Sequence, residues 1–262
     1  LSIFTHFPRL TLSLKKPSVV SYATGDTLNV FKASELSLSF DFWNIISKSE
    51  SLVVKSFYLY GADIQGYIDA NGVANYDILK NKQPASNNSD TKPVNFKLDR
   101  YEVKNSRIIY IDKQTDMSVK IVGLNNEGKC SILNDIFDIK AKTTIDSLDF
   151  VSTGISFLNH VNLNSNLNLI YDASKNRIDL KENELALNAL KLSLLGYIQV
   201  KEEQSIEMDL KLNSPGTQFK DLFSLIPKAF IKNYQDVKSE GSFLINANIN
   251  GILNKNSNIY PS

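Results

Sequence analysis

The chain carries one cysteine, Cys130, and two histidines, His6 and His160. A lone cysteine excludes an internal disulfide and a cysteine-based zinc cluster. The two histidines are too far apart in sequence to give metal-ligand spacing, and no His-based triad is suggested. Charge of one sign is also missing. Lys+Arg number 29 against 28 Asp+Glu, a formal net charge of +1, so the basic face that nucleic-acid binding ordinarily requires has no basis here. No apolar run approaches the ~20 residues that cross a bilayer as a helix, and no basic-then-apolar leader is present. The chain opens on Leu1 in strand-like text, which we read as the start of a piece of a longer protein.

Chemistry-bearing motifs fail one by one. Gly128-Lys129 is followed by Cys130, with no upstream glycine at phosphate-loop spacing. Asp69-Ala-Asn-Gly72 opens like a calcium loop, yet Ala74 and Lys80 stand where such a loop needs Gly and Glu. The carboxylate pairs Asp135/Asp138 and Asp146/Asp149 have no partner base or metal and read as solvated positions. We therefore assign no catalytic residue, no metal ligand and no cofactor, and read the chain as non-enzymatic.

What the chain has in abundance is alternation. Leu10, Leu12 and Leu14 are spaced by Thr11 and Ser13; Leu36, Leu38, Phe40 and Phe42 by Ser37, Ser39 and Asp41. Leu163, Leu167, Leu169 and Tyr171 share one parity, with Asn164, Asn166 and Asn168 on the other. Ile206, Met208, Leu210 and Leu212 alternate with Glu207, Asp209 and Lys211, and Phe243, Ile245, Ala247 and Ile249 alternate with Leu244 and asparagines. Successive side chains of a strand point to opposite faces, so each run has one greasy and one wet side. Such runs predict a mainly β fold of antiparallel strands with one solvated face.

Turn chemistry punctuates the runs. Asp69–Gly72 predicts a hairpin tip between 64–68 and 73–78, Asn125–Gly128 a second turn, and Asp172–Asn176 a third; Ser214-Pro-Gly216 is expected to end the strand at 206–212. Helical spacing is confined to a single turn at 42–47 and to Phe219–Tyr234, split at Pro227. Residues 81–93 are polar, hold two prolines and read as a linker, dividing an N-terminal β region, 1–80, from a continuing β region, 94–262, with a helical insert near 219–235.

The order of these pieces resembles the AsmA family. Phe7–Leu14, Gly25–Leu28 and Ala33–Trp43 are similar to the family's N-terminal part. Val54–Ile64 followed by Asp69-Ala-Asn-Gly-Val-Ala-Asn-Tyr-Asp77 is similar to its recurring Gly-x-Ala-Asn-Trp/Tyr-Asp hairpin, with Tyr76 where Trp is common. Phe223–Pro227, Gly241–Phe243 and Gly251 resemble its helical insert and long returning strand.

The resemblance implies an elongated, curved β-sheet with an apolar groove, like that of TamB and the chorein-type bridge proteins. It implies a periplasmic part of a protein anchored in the inner membrane of a Gram-negative envelope by an N-terminal helix. It further implies that phospholipid acyl chains are the ligand, with outer-membrane assembly proteins as partners and no nucleic acid. Under that reading the lipid-facing candidates are Leu36, Leu38, Phe40, Leu167, Leu169, Ile206, Met208, Leu210, Leu212, Phe243 and Ile245. The residues alone also leave open a closed β-sandwich that recognises glycan or protein through the aromatics Tyr58, Tyr60 and Tyr67.

Overall fold

The computed structural model describes residues 9–22, 28–42, 46, 51–77, 95–201, 205–223, 225 and 240–253, with backbone alone at 51–53, 95 and 223. The linker 81–93 and His6 lie outside the described residues, as does most of the helical segment beyond Phe223.

Fourteen strands form one open sheet. They are β1 (Arg9–Lys15), β2 (Ser18–Ser21), β3 (Leu28–Lys32), β4 (Glu35–Asp41), β5 (Ser51–Tyr60), β6 (Asp63–Ile68) and β7 (Asn95–Asp112), then β8 (Met117–Leu133), β9 (Ile136–Ser152) and β10 (Ile155–Asp172). The sheet closes its run with β11 (Arg177–Leu187), β12 (Leu190–Val200), β13 (Ile206–Gln218) and β14 (Ser242–Leu253). The main path is β1-β4-β5-β7 and then β8 to β14 in sequence order. A single helical turn, α1 (Phe219–Phe223), follows β13, and Phe42 and Ile46 are also helical.

Antiparallel pairing holds along the sheet except at β7. Both β5 and β6 lie parallel to that strand. A parallel neighbour needs a crossover connection of a dozen residues or more, and residues 69–94 supply it. The strands on the two sides of the 81–93 segment are thus hydrogen-bonded neighbours within one sheet.

The first three ribbons are long strands broken once each. β1 continues into β2 at Lys16-Pro17, β3 into β4 at Ala33-Ser34, and β5 into β6 at Gly61-Ala62. The breaks line up. Lys16 N–H donates to the Ser34 carbonyl (3.0 Å), Ser34 N–H to Tyr60 (3.0 Å) and Gly61 N–H to Lys104 (2.9 Å). Beyond them Asn105 N–H donates to the Asn125 side chain (3.0 Å) on β8. Lys16, Gly61, Asn105 and Gly123 all have positive φ, so a crease of left-handed residues crosses neighbouring strands. Bulges of this kind bend a strand and tighten its twist. They allow 17- and 18-residue strands such as β7 to β10 to curve; straight, each would run on the order of 55–60 Å.

Two of the expected turns lie inside strands. Asn125–Gly128 belongs to β8, because the amides that signal a turn bond sideways instead. Asn126 Nδ2 donates to Thr143 Oγ1 (2.7 Å) and Asn125 Nδ2 to Thr144 Oγ1 (3.4 Å) on β9. Gly128 admits a close approach, since a Cβ there would collide with the Lys140 carbonyl and sit 2.9 Å from the Tyr101 hydroxyl. Likewise β13 runs on through Pro215 and Gly216, which form a bulge between Ser214 and Thr217. The register of β12 with β13 stops at Asn213, so Pro215 sits where one side of the strand has no ladder, a position proline tolerates. The Asp172–Asn176 turn is present as expected, joining β10 to β11.

The hairpin tip at Asp69–Gly72 forms, with Asp69 Oδ1 accepting the N–H groups of Asn71 and Val73 (both 2.8 Å). Its return arm is one isolated bridge, Ile68 to Ala74, and not a strand. Asn75 takes over there. Its side chain is fully buried. Oδ1 accepts the Tyr67 N–H (2.8 Å) and Nδ2 donates to the Gln65 carbonyl (2.8 Å), while its own N–H donates to the Tyr67 carbonyl (2.9 Å). One side chain thus completes the edge of β6 that β3, paired only at Ile64 and Asp63, does not reach.

No second layer packs on this sheet among the described residues. Among the described residues eight hydrophobic residues are buried: Ala33, Val54, Leu59, Ala62, Ile145, Val161, Leu190 and Leu210. One small cluster forms where Ala33, Leu59 and Ala62 meet Phe31, Phe57 and Val103 beside the crease.

Candidate functional site: an unbroken apolar face

Directly paired residues of neighbouring strands share a face, so the register traces each face across the sheet. From β1 the chain of partners runs Leu12, Leu38, Phe57, Tyr101, Gly128, Ala141, Leu167. At the far end it runs Leu185, Leu192 and, one pair along, Leu194, Leu212, Ala247. One apolar face therefore spans the main path, ten spacings of about 4.8 Å or roughly 48 Å. It is one residue wide at no point: each strand adds several members, such as Leu98, Val103, Ile108 and Tyr110 on β7.

All of the sequence candidates fall on that face. Leu36, Leu38 and Phe40 pair with Leu14, Leu12 and Leu10. Leu167 and Leu169 pair with Ala141 and Ile139. Ile206, Met208, Leu210 and Leu212 pair with Val200, Ile198, Gly196 and Leu194 on one side. On the other side they meet Leu253, Gly251, Ile249 and Ala247, and Ile245 and Phe243 carry the face to its end. The structure thus joins four separate sequence runs into one surface. Most of its members are half-buried although no layer of described residues covers them, because they lean on one another across neighbouring strands. At the open β1 margin Leu12 is 54% exposed.

Much of the central stretch escapes simple parity counting. Ile121 and Leu124 on β8 share the face although they stand an odd three positions apart, and so do Leu158 and Val161 on β10. Bulges change the parity at these places. Gly123, with φ of 68°, was the available signal, since a glycine inside apolar strand text marks a bulge. His160 gave no such signal. It takes φ of 54°, and its N–H donates to Asp149 Oδ1 (2.8 Å) while its ring Nδ1 lies 2.9 Å from the same oxygen. Asp149 is therefore a structural acceptor at a bulge. Its sequence neighbour Asp146 points elsewhere, into the space beside Gly123.

The opposite face is polar and tied by pairs within and between strands. Lys55 reaches Asp99 (3.2 Å), and Lys97 meets the same carboxylate at 2.8 Å. Glu102 is held between Lys104 (2.8 Å) and Arg100, and its pKa is lowered chiefly by the Lys104 bond. Across β11 to β13, Arg177 binds Asp179 (2.8 Å) and lies over the Tyr197 ring (3.7 Å). Tyr197 donates to Glu207 (2.7 Å), which Lys201 also reaches (3.0 Å). A depression of about 460 Å³ opens between Arg100, Glu127, Lys129, Lys140 and Lys142. Its neighbour of about 360 Å³ reaches Cys130, whose thiol is pushed up by burial and by nearby Asp138, away from reactive thiolate.

Tyr58 and Tyr60 stand on the polar face with parallel rings 6.5 Å apart, and Tyr67 shares that face. A closed sandwich requires a second sheet, and the described strands form one. Among the described residues no three His, Cys, Asp or Glu side chains gather as a metal-binding group, and no helix is long and apolar enough to cross a membrane. No protein-family model, curated protein or solved structure matches the chain.

Proposed function

We propose that this chain is a non-enzymatic section of a periplasmic β-groove of AsmA type, which shelters phospholipid acyl chains between the inner and outer membranes and so supports outer-membrane assembly. One observation carries the reading: an apolar face runs across the main path of the sheet, and no other described element packs over it. A sheet that exposes such a face in water must cover it, and contiguous exposed apolar surface marks a place of interaction. An acyl chain fits the chemistry of the Leu, Ile and Phe members of the face; the one polar row that the register places among them, Asn126, Thr143 and Ser165, is tied within itself by the Asn126–Thr143 bond (2.7 Å).

The energetics suit passage better than storage. Each buried methylene is worth ~0.8 kcal/mol. A chain of about fourteen methylenes, half sheltered, gains on the order of 5–6 kcal/mol. That is enough to hold lipid loosely and too little to trap it.

Photocrosslinking tests the reading. A benzophenone amino acid at Leu38, Leu169 or Met208 is expected to capture phospholipid from vesicles or from the producing cell. The same probe at Ser37, Asn168 or Asp209, on the polar face, is expected to capture none. Equal labelling of both faces, or none on the apolar one, would refute it.

A further inference from the structure

We propose that the row Asn126, Thr143 and Ser165 seats the acyl-ester carbonyls of a glycerolipid, so that the ester region of the lipid, and not its alkyl chains, lies over the middle of the apolar face. The inference rests on the lipid reading and gives it a fixed point. The register pairs Asn126 with Thr143 and Thr143 with Ser165, on β8, β9 and β10. Val103 continues the row on β7 and Leu185 on β11, so the three polar side chains stand inside a line that is otherwise apolar. The rows on either side are apolar too, with Gly128, Ala141 and Leu167 on one and Ile145, Leu163 and Leu187 on the other.

All three side chains are half-buried. Asn126 Nδ2 donates to Thr143 Oγ1 (2.7 Å), which uses a lone pair of that hydroxyl and leaves its O–H to point elsewhere. Among the described residues neither the Thr143 O–H nor the Ser165 hydroxyl has an acceptor. Directly opposed residues hold their Cβ atoms about 5 Å apart, so two hydroxyl donors stand side by side. Tyr101 adds a third from the next row. Its hydroxyl reaches over Gly128; burial pushes the phenol up, Cys130 adds to the rise and the Asn126 side chain offsets part of it, so it stays a protonated donor at neutral pH. Methylenes packed over these hydroxyls would exclude water and leave the donors unpaired, which is unfavourable. A carbonyl oxygen accepts from them. Charge selects among the acceptors. No Lys or Arg stands in these rows, and the cations of the same strands, Lys129, Lys140 and Lys142, are on the opposite face. A phosphate or carboxylate would sit here without a counter-charge. An ester carbonyl is neutral, and a diacyl lipid carries two, each at the head of an acyl chain that the flanking apolar rows can receive.

Competition binding on the full chain tests the site. A phosphatidylglycerol with one fluorescent acyl chain is the bound probe. It is displaced with dioctanoyl phosphatidylglycerol, with the dioctyl-ether analogue that lacks both carbonyls, or with octanoate. The ester lipid is expected to displace the probe about tenfold better than the ether lipid, and better than octanoate. Ser165→Ala deletes a hydroxyl that has no partner among the described residues and should lower the ester preference about threefold. Thr143→Val combined with Ser165→Ala should abolish the preference and leave ether-lipid affinity unchanged. Thr143→Ser keeps the hydroxyl and should keep the preference, which controls for altered packing. Equal displacement by ester and ether lipids, or an ester preference that survives the double substitution, overturns the proposal and leaves the lipid reading standing. Stronger displacement by octanoate overturns it in favour of a carboxylate site. Failure of the probe to bind at all overturns both.

Discussion

Asn75 is the residue whose removal most directly tests the structural reasoning. Asn75→Ala deletes two buried hydrogen bonds of 2.8 Å, one to the Tyr67 N–H and one to the Gln65 carbonyl. Leaving a buried backbone group unsatisfied costs roughly 1–3 kcal/mol. Allowing some water to reach the vacated edge, the expected loss is about 2–4 kcal/mol for the pair. At about 2–4 °C per kcal/mol for a chain of this size, the melting temperature should fall by roughly 4–16 °C. The local readout is sharper: amide exchange at Tyr67 should accelerate about 30- to 700-fold if the opening free energy falls by that amount. Asn75→Asp separates the two bonds. The carboxylate still accepts from Tyr67 but faces the Gln65 carbonyl oxygen. Its folded-state pKa is raised above the unfolded value, so the penalty is present at neutral pH, shrinks as pH falls through the raised folded-state value, and is gone by about 4. The gap to wild type should narrow on acidification. Unchanged exchange at Tyr67 in Asn75→Ala, with a urea midpoint equal to wild type, would refute the idea that one side chain substitutes for a strand.

Two further outcomes follow from local geometry. Gly196 has φ of 128° and a Cβ there would collide with the Asp209 carbonyl oxygen, whereas Gly154 has no atom within 4 Å of its Cβ position. Gly196→Ala should therefore cost upwards of about 2 kcal/mol, and Gly154→Ala only the ~1 kcal/mol of a left-handed conformation, both read from urea midpoints. The Asp172 carboxyl is held at about 2 by its bonds to Lys175 and Ser174. A depressed folded-state pKa stabilises above the unfolded value and is lost as pH falls from about 4 through 2. Asp172→Asn should flatten that part of the melting-temperature profile, and an unaltered profile would show that the turn carries no such linkage.

Alternation made much of this protein legible before any coordinates. Leu36-Ser-Leu-Ser-Phe40 and Ile206–Leu212 contain their own face assignment, because a strand's period of two is local and cannot be confused with a helix. The Asp69–Gly72 and Asp172–Asn176 turns were readable for the same reason: the Asp side chain bonds backbone within a few residues. Asn125-Asn-Glu-Gly128 misled, since those amides reach Thr143 and Thr144 on another strand, and no local pattern encodes which groups will lie opposite. The parallel seating of β5 and β6 on β7, the crease through Gly61, Asn105 and Gly123, and the joining of four sequence runs into one face are tertiary facts. They depend on strand order and bulge position, and these are decided by which edges meet and not by the residues within any one strand. The sequence alone therefore determined that strands with one apolar side exist; only the sheet's register decided that those sides join into one face across the described strands.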